Sequence, residues 1–408
     1  MPAIDNHTHI LPVPEDYKIR WNAQRPLGAP PYPMMVRLRV DNPEWLLAWR
    51  ALYGYEHDDM LPEHTTLALQ AKQRLLSTRR DEYTGAILDR ANIAVALVNA
   101  DALGKGQQSS RIRWVPYVDP LMQLPALAKG ADGTNTDPKA VLAYAGVRSL
   151  PPTLDAYVDD VVVPTLKRWK AAGVPAAKVL AAYRRALNFA PRALEDAALA
   201  YTALRLATPG SLAAPAGGMS TSEAARIVED HVLFAVARHA AREGIAIHIH
   251  TGNGVGPYFD NARANPLLLE PLLNDASLRD TRFVLVHGGW PYTRAVSAMI
   301  DKPNTYADIS VQTFLLPAPS LAATLQEWLE LMPEKVLFGT DAYSDEDTPL
   351  ANWEEKTWLL TATARDALAI ALTTMMRDGT IDRAGALRIA RGVMHDNAAR
   401  LYGLGAGR

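Results

Sequence analysis

Residues 245–252 read IAIHIHTG, an apolar run that ends in His250-Thr251-Gly252 with His248 two positions earlier. Three later stretches repeat the arrangement: FVLVHGG at 283–289, TYADI at 305–309 and VLFGTDA at 336–342. Each is a short apolar run with a polar or ionisable residue at its C-terminal end, and each precedes a stretch of helical spacing. Short apolar runs alternating with amphipathic stretches describe parallel strands joined by crossover helices. The expected fold class is therefore α/β, a (β/α)8 TIM-like barrel, in which the chemistry sits at the C-terminal ends of the strands.

Outward from these runs the same pattern continues. Ala3–Ile10 ends in His7-Thr8-His9; Ile93–Leu97, Arg113–Val118 and Ala177–Ala182 read as further strands. Helices are expected at 43–53, at about 63–90, and from Ser222 to a stop at Gly244, where glycine can take the left-handed cap conformation. The proline-rich residues 11–42 read as an irregular excursion, 121–174 as a mostly helical insertion punctuated by Pro151-Pro152, and 208–218 as a loop. A last helix at roughly 382–402 is expected to contribute packing. The chain thus reads as a single barrel domain over 1–408, with insertions at about 11–60 and 121–174.

The 408 residues suit a barrel with insertions and give enough apolar surface to bury without covalent staples. No cysteine is present, which excludes thiolate nucleophiles and Cys-based metal sites. Any metal must be held by His, Asp, Glu or a modified Lys. Forty-two basic and 44 acidic residues give a formal charge of −2, offering no electrostatic case for nucleic acid or an anionic membrane as partner. The N-terminus lacks the pattern of a signal peptide, and the apolar run at 314–325, broken by Pro317 and Pro319, is too short to span a bilayer. A cytoplasmic protein acting on a small molecule is the expectation.

Two histidines separated by one residue on a strand project to the same side, so His7 and His9 can reach one cation. Alone, such a pair says little, and His248-Ile249-His250 has the same spacing. The joint pattern says more. His7, His9, His250 and His287 close three separate strands and Asp341 closes a fourth. Dispersed imidazoles with one carboxylate suit Zn²⁺, Fe²⁺ or Mn²⁺.

HTH at 7–9, IHTG at 249–252, VHGGWPYT at 286–293, YAD at 306–308 and FGTDA at 338–342 resemble successive strand-end motifs of the amidohydrolase superfamily. The likeness is to its amidohydrolase-2 branch, which also supplies the barrel half of fungal proteins fused to a glutamine synthetase-like domain. RWVPYVDP at 113–120, AKVLAAYR at 177–184, ANPLLLEPLL at 264–273 and DNAARLYG at 396–403 extend it over nearly the whole chain, more loosely at 11–60 and 121–170. The resemblance implies that His7, His9, His250 and Asp341 bind the metal. His250 is preferred to His248 because Thr-Gly follows it, and His248 would support the site from behind. His287 would polarise water or substrate, or bind a second ion. Asp341 would also be the general base.

Several residues stay open. Lys178 could be a carboxylated lysine bridging two ions, an anion-binding group or an ordinary paired lysine. Tyr183, Arg184 and Trp290 are candidates for substrate contact, Arg184 through a fork to a carboxylate or else held in a surface ion pair; Asp345-Glu346-Asp347, His57 and His64 are weaker ones. The leading expectation is a metal-dependent hydrolase using metal-activated water on an amide, γ-glutamyl-like amides included, with one or two divalent ions, zinc first. A non-oxidative decarboxylase of the same branch and a non-catalytic metal-binding barrel are the alternatives. A homodimer would be unsurprising for the family.

Overall fold

The computed structural model describes residues 1–10, 35–100, 110–124, 138–206, 219–254, 256, 258–344 and 348–404. The loop reading at 208–218, the Asp345–Asp347 cluster and most of the proline-rich excursion lie outside these residues. Eight strands appear in the expected places: β1 (Ala3–Thr8), β2 (Ile93–Asn99), β3 (Ile112–Val115), β4 (Ala176–Val179), β5 (Ala246–His250), β6 (Phe283–Val286), β7 (Thr305–Asp308) and β8 (Val336–Leu337). They form a three-stranded sheet, β1-β2-β3, and a five-stranded sheet, β4 to β8, each in chain order. Every ladder is parallel.

Isolated parallel bridges, Tyr117 with Lys178 and His9 with Tyr343, connect the two sheets at both ends. Around them Val118 N–H donates to Lys178 O at 2.7 Å and Lys178 N–H to Pro116 O at 2.8 Å. At the other end Asn6 N–H donates to Phe338 O at 2.9 Å, Asp341 N–H to His7 O at 2.7 Å and His9 N–H to Ala342 O at 2.8 Å. The fold is thus α/β with parallel sheets.

Strands buried on both faces lose the alternation of half-buried ones, which is why these runs read as continuously apolar. One apolar cluster collects Ile4, Leu97, Val115, Ala176, Ala246, Val284 and Leu337, which come from seven different strands, with Ala398, Leu401 and Tyr402 of the C-terminal helix. These side chains from both sheets pack together in one buried apolar cluster. Outside lie helices such as Thr221–Glu243. Its first turn is capped by Ser220, whose side chain accepts from Glu223 N–H, and Gly244 ends it in the left-handed conformation, as expected. It buries Val228, Val232, Leu233 and Val236, each worth about 1.5–3 kcal/mol of transfer free energy.

The helix expected over 63–90 is two helices. Arg80, at φ +47°, breaks it into α1 (Pro62–Arg79) and α2 (Tyr83–Arg90). The break lets Tyr83 and Lys72 meet the same buried pair of carboxylates at the start of α3 (Trp353–Arg377). Lys72 Nζ lies 2.9 Å from Glu354 Oε2 and 3.0 Å from Glu355 Oε1, while the Tyr83 hydroxyl donates to Glu354 at 2.9 Å. Helix α3 is long and apolar enough to cross a membrane. Here it is a core helix, packed on Ala318–Leu331 and pinned by this polar knot.

Burial alone would pull the Lys72 ammonium down, but Glu355 and Glu354 outweigh it and hold the group above its ordinary value. A pKa raised on folding contributes stability that is complete below the unfolded lysine value, about 10.4, and is lost as pH rises through the folded one. Lys72→Met should cost about 3–5 kcal/mol in urea unfolding at pH 7, because two buried carboxylates lose their cation. The gap between wild type and variant should narrow above about pH 10.4; a gap independent of pH would refute the pairing.

Candidate metal centre

The strand-end histidines meet because β1 is irregular. Its ladder with β2 pairs Asp5 with Ala96 and then Thr8 with Val98, three steps on β1 against two on β2. One extra residue reverses the alternation of faces. Asn6 can therefore donate to Asp308 Oδ2 at 2.7 Å while its neighbour His7 turns toward Asp341. His7 Nε2 lies 3.1 Å and His9 Nε2 3.3 Å from Asp341 Oδ1. Two donors bound to one ion at ~2.0–2.1 Å with tetrahedral angles stand ~3.3–3.4 Å apart. His7, His9 and Asp341 form the one compact metal-ligating set among the described residues. His7 is buried, whereas His9 and Asp341 keep an exposed edge through which an ion or water could enter.

Proton positions support a cation there. The Asn99 amide meets His7 Nδ1 at 2.7 Å, and the Asn99 oxygen is otherwise buried without a partner. Turned so that its oxygen faces the ring, Asn99 accepts the Nδ1 proton of His7. His7 Nε2 is then a lone pair facing a carboxylate oxygen, two acceptors that a cation between them would join. Burial, followed by the Lys178 charge, holds His7 well below the ordinary histidine value. Burial would push Asp341 up, but His287, the hydrogen bond with His9 and Lys178 hold it below the usual carboxylate range.

The floor continues through His287 and His250. His287 Nε2 is 3.0 Å from His250 Nδ1, and the His287 ring stands 5.1 Å from that of His7. His250 Nε2 is buried and has no hydrogen-bond partner, a second orphaned atom suited to an ion. Lys178 Nζ, 3.4 Å from His7 Nε2, is drawn down to about 8 by burial, against the pull of Asp341, Asp308 and Asp119. Tyr183 packs its ring 4.7 Å from His250 and 5.0 Å from Phe259. Gly252 allows the loops after β5 and β6 to touch: a Cβ there would lie 2.2 Å from Trp290 O.

A family model described as amidohydrolase matches residues 176–404, more than half of the chain. The chain belongs to the amidohydrolase family. Its fold is similar to that of a Lactobacillus casei protein provisionally described as a metal-dependent hydrolase, with 17% identity, coverage of 98% of this chain and 95% of that one, and a TM-score of 0.57. A uronate isomerase from Thermotoga maritima is similar at 12% identity, 98% and 94% coverage and a TM-score of 0.55. A glucuronate isomerase from Caulobacter crescentus follows at 13%, 100% and 92%, and 0.54. At these identities the likeness is one of fold. No curated protein matches the sequence.

In this amidohydrolase, His7, His9 and Asp341 come together as expected, whereas His250 stands beside His287, outside the compact set. His248 is one layer deeper, 2.7 Å from the Tyr402 hydroxyl. Arg184 does not present a fork to substrate. Its guanidinium is held by Asp119 at 2.6 Å and Glu229 at 2.8 Å, part of a buried network that continues through Arg185 and Asp230. His57 and His64 stack on each other at 3.6 Å, with His64 paired to Asp59. The residues missed by sequence reasoning are Asn99, Ser310, Phe259 and Tyr402. Asn99, at the end of a strand, carried the one legible signal.

Zinc added to metal-free protein should raise its stability, by about 2.7 kcal/mol at a free concentration one hundred times Kd. His9→Ala should remove most of that gain while leaving the metal-free protein's melting temperature nearly unchanged. Zinc binding that survives His9→Ala, measured by chelator competition, would rule out the triad as the ion site.

Proposed function

We propose that this amidohydrolase is a metal-dependent hydrolase that cleaves an amide, or a related C–N or C–O bond, in a small molecule. The eight strands are read as one (β/α)8 barrel, with β3/β4 and β8/β1 as its less regular seams. The observation that carries the reading is the His7–His9–Asp341 triangle, a compact donor set with His7 buried and His9 and the carboxylate at its open edge. Zinc is the first candidate ion, with manganese and iron as alternatives; Lys178, 3.4 Å from His7 Nε2, and His250, beside His287, are the candidates to serve a second ion. A bound divalent ion lowers the pKa of water from 15.7 to about 7.

The chain's own residues supply the rest. Asp341, kept ionised by the hydrogen bond with His9 and by Lys178, takes the proton of the attacking water and returns it to the leaving nitrogen. His287, kept neutral by burial and by neighbouring His250, faces the reacting group from the floor. Tyr183 and Phe259 pack a wall on the His250 side, and Trp290 follows in the next loop. γ-Glutamyl-like amides are the first class to screen, with the cytoplasm as the expected setting and a homodimer as a possible assembly.

A screen of amides with zinc-loaded protein should give turnover that Asp341→Asn lowers by about 10²–10⁴-fold in kcat. Zinc content is measured in parallel, so that loss of the base is separated from loss of the ion. Retained turnover in Asp341→Asn would remove its role as base. Release of CO2 from aromatic carboxylates, with no amide cleaved, would replace hydrolysis by decarboxylation; inert protein that binds zinc would favour the non-catalytic alternative.

A further inference from the structure

Asp308, buried at the end of β7, accepts hydrogen bonds at both oxygens. Its Oδ1 receives the backbone N–H of His287 at 2.8 Å and of Ser310 at 3.1 Å. Backbone N–H groups can only donate, so Oδ1 is an acceptor. The Ser310 hydroxyl, 2.6 Å from the same oxygen, must therefore spend its single proton there. Toward His287 Nδ1, 2.9 Å away, the Ser310 oxygen can then only accept.

That requirement propagates. His287 carries its proton on Nδ1; buried, with Ser310 and His250 and no carboxylate as its ring partners, it is a neutral ring whose Nε2 is a lone pair. The neighbour of that lone pair is His250 Nδ1 at 3.0 Å, which must donate. His250, buried in the same way, then has its own lone pair on Nε2, the buried atom without a partner. We infer that Asp308 and Ser310 are positioning residues that place the proton on Nδ1 of both His287 and His250, so that a bare His250 Nε2 is presented to the centre. The chain runs from Asp308 through Ser310 and His287 to His250, and each hydrogen bond fixes the direction of the next.

The anchor is itself held. Asp308 Oδ2 accepts from Asn6 Nδ2 at 2.7 Å, and Asn6 Oδ1 accepts from the Tyr402 hydroxyl. With its proton so engaged, Tyr402 accepts from His248 Nε2 at 2.7 Å. The left-handed backbone at His287, φ +71°, aims its N–H at Asp308. At Gly288 a Cβ would lie 2.7 Å from Asp308 O and 2.3 Å from the Trp328 ring, so this approach requires glycine.

The inference concerns this chain's protons and stands whether or not the reaction is hydrolysis. The full-length, metal-free protein is labelled with ¹⁵N-histidine and its long-range ¹H–¹⁵N correlations recorded, with His287→Gln and His250→Gln assigning the two rings. Both rings should show the Nδ1–H pattern. Ser310→Ala should move His287 out of that pattern and weaken zinc binding about 10–100-fold, read by competition with a chromophoric chelator. Ser310→Thr, which keeps the hydroxyl, should preserve both. An Nε2–H or doubly protonated His287 in the wild type overturns the inference, as does a Ser310→Ala protein with unchanged tautomers and zinc affinity. Should Ser310→Ala not fold, the wild-type spectrum alone decides. None of these readouts needs a substrate, so a failed amide screen would leave them intact, and a working hydrolase with the opposite tautomer would sink only this inference.

Discussion

At the seam between β1 and β8, Asp5 accepts the backbone N–H of Thr340 at 2.9 Å and its hydroxyl at 2.5 Å. These groups lie at opposite ends of the chain, so everything between is closed into one loop by the contact. The entropic cost of closure rises only as about (3/2)RT ln n, which a few buried hydrogen bonds can offset. The seam also sets the distance between His7 and Asp341, because Asp341 N–H donates to His7 O in the same stretch. If the seam opens, the donor triangle goes with it. Burial pushes Asp5 up to about 7 despite the bonds from Thr340 and His7, a sign of how completely the seam is shielded from water.

Below the triangle the interior changes character. The inward residues at the strand starts are Ile4, Ala176, Ala246 and Val284; those at the ends are Asn6, Lys178, His248, His250 and Asp308. Polar groups buried without partners cost several kcal/mol each in an apolar medium. Here most are paired, and His9 Nδ1, Asn99 Oδ1 and His250 Nε2 are left over around the site. The lower layer holds the strands together, and the upper layer can carry a charge because the lower one leaves it rigid.

Much of this was legible in the sequence for one physical reason. β5 and β6 are buried on both faces, so their apolar runs stand out, and the residue that ends each run stands at the rim. His250, His287 and Asp341 were found in that way. The bulge in β1 was not legible, since it exists only in the pairing with β2 and leaves no mark on the composition of Ala3–Thr8. The partners of Arg184, Asp119 and Glu229, were not legible because they are remote in the chain and meet it only in the fold. The break at Arg80 escaped because helical spacing continues on both sides of it.

Backbone conformation explains why the site residues stand where they do. Five non-glycine residues take positive φ among those described, and two of them are His287 and Asp341. Each such position costs of order 1–3 kcal/mol and persists only where the surroundings impose it. At His287 the imposition is the N–H bond to Asp308; at Asp341 it is the N–H bond to His7 O. Relaxing either residue to an ordinary strand conformation would release the local strain but break a buried hydrogen bond and swing the side chain away from its neighbours. The strain is therefore tied to the same two bonds that hold the imidazole and the carboxylate toward the centre.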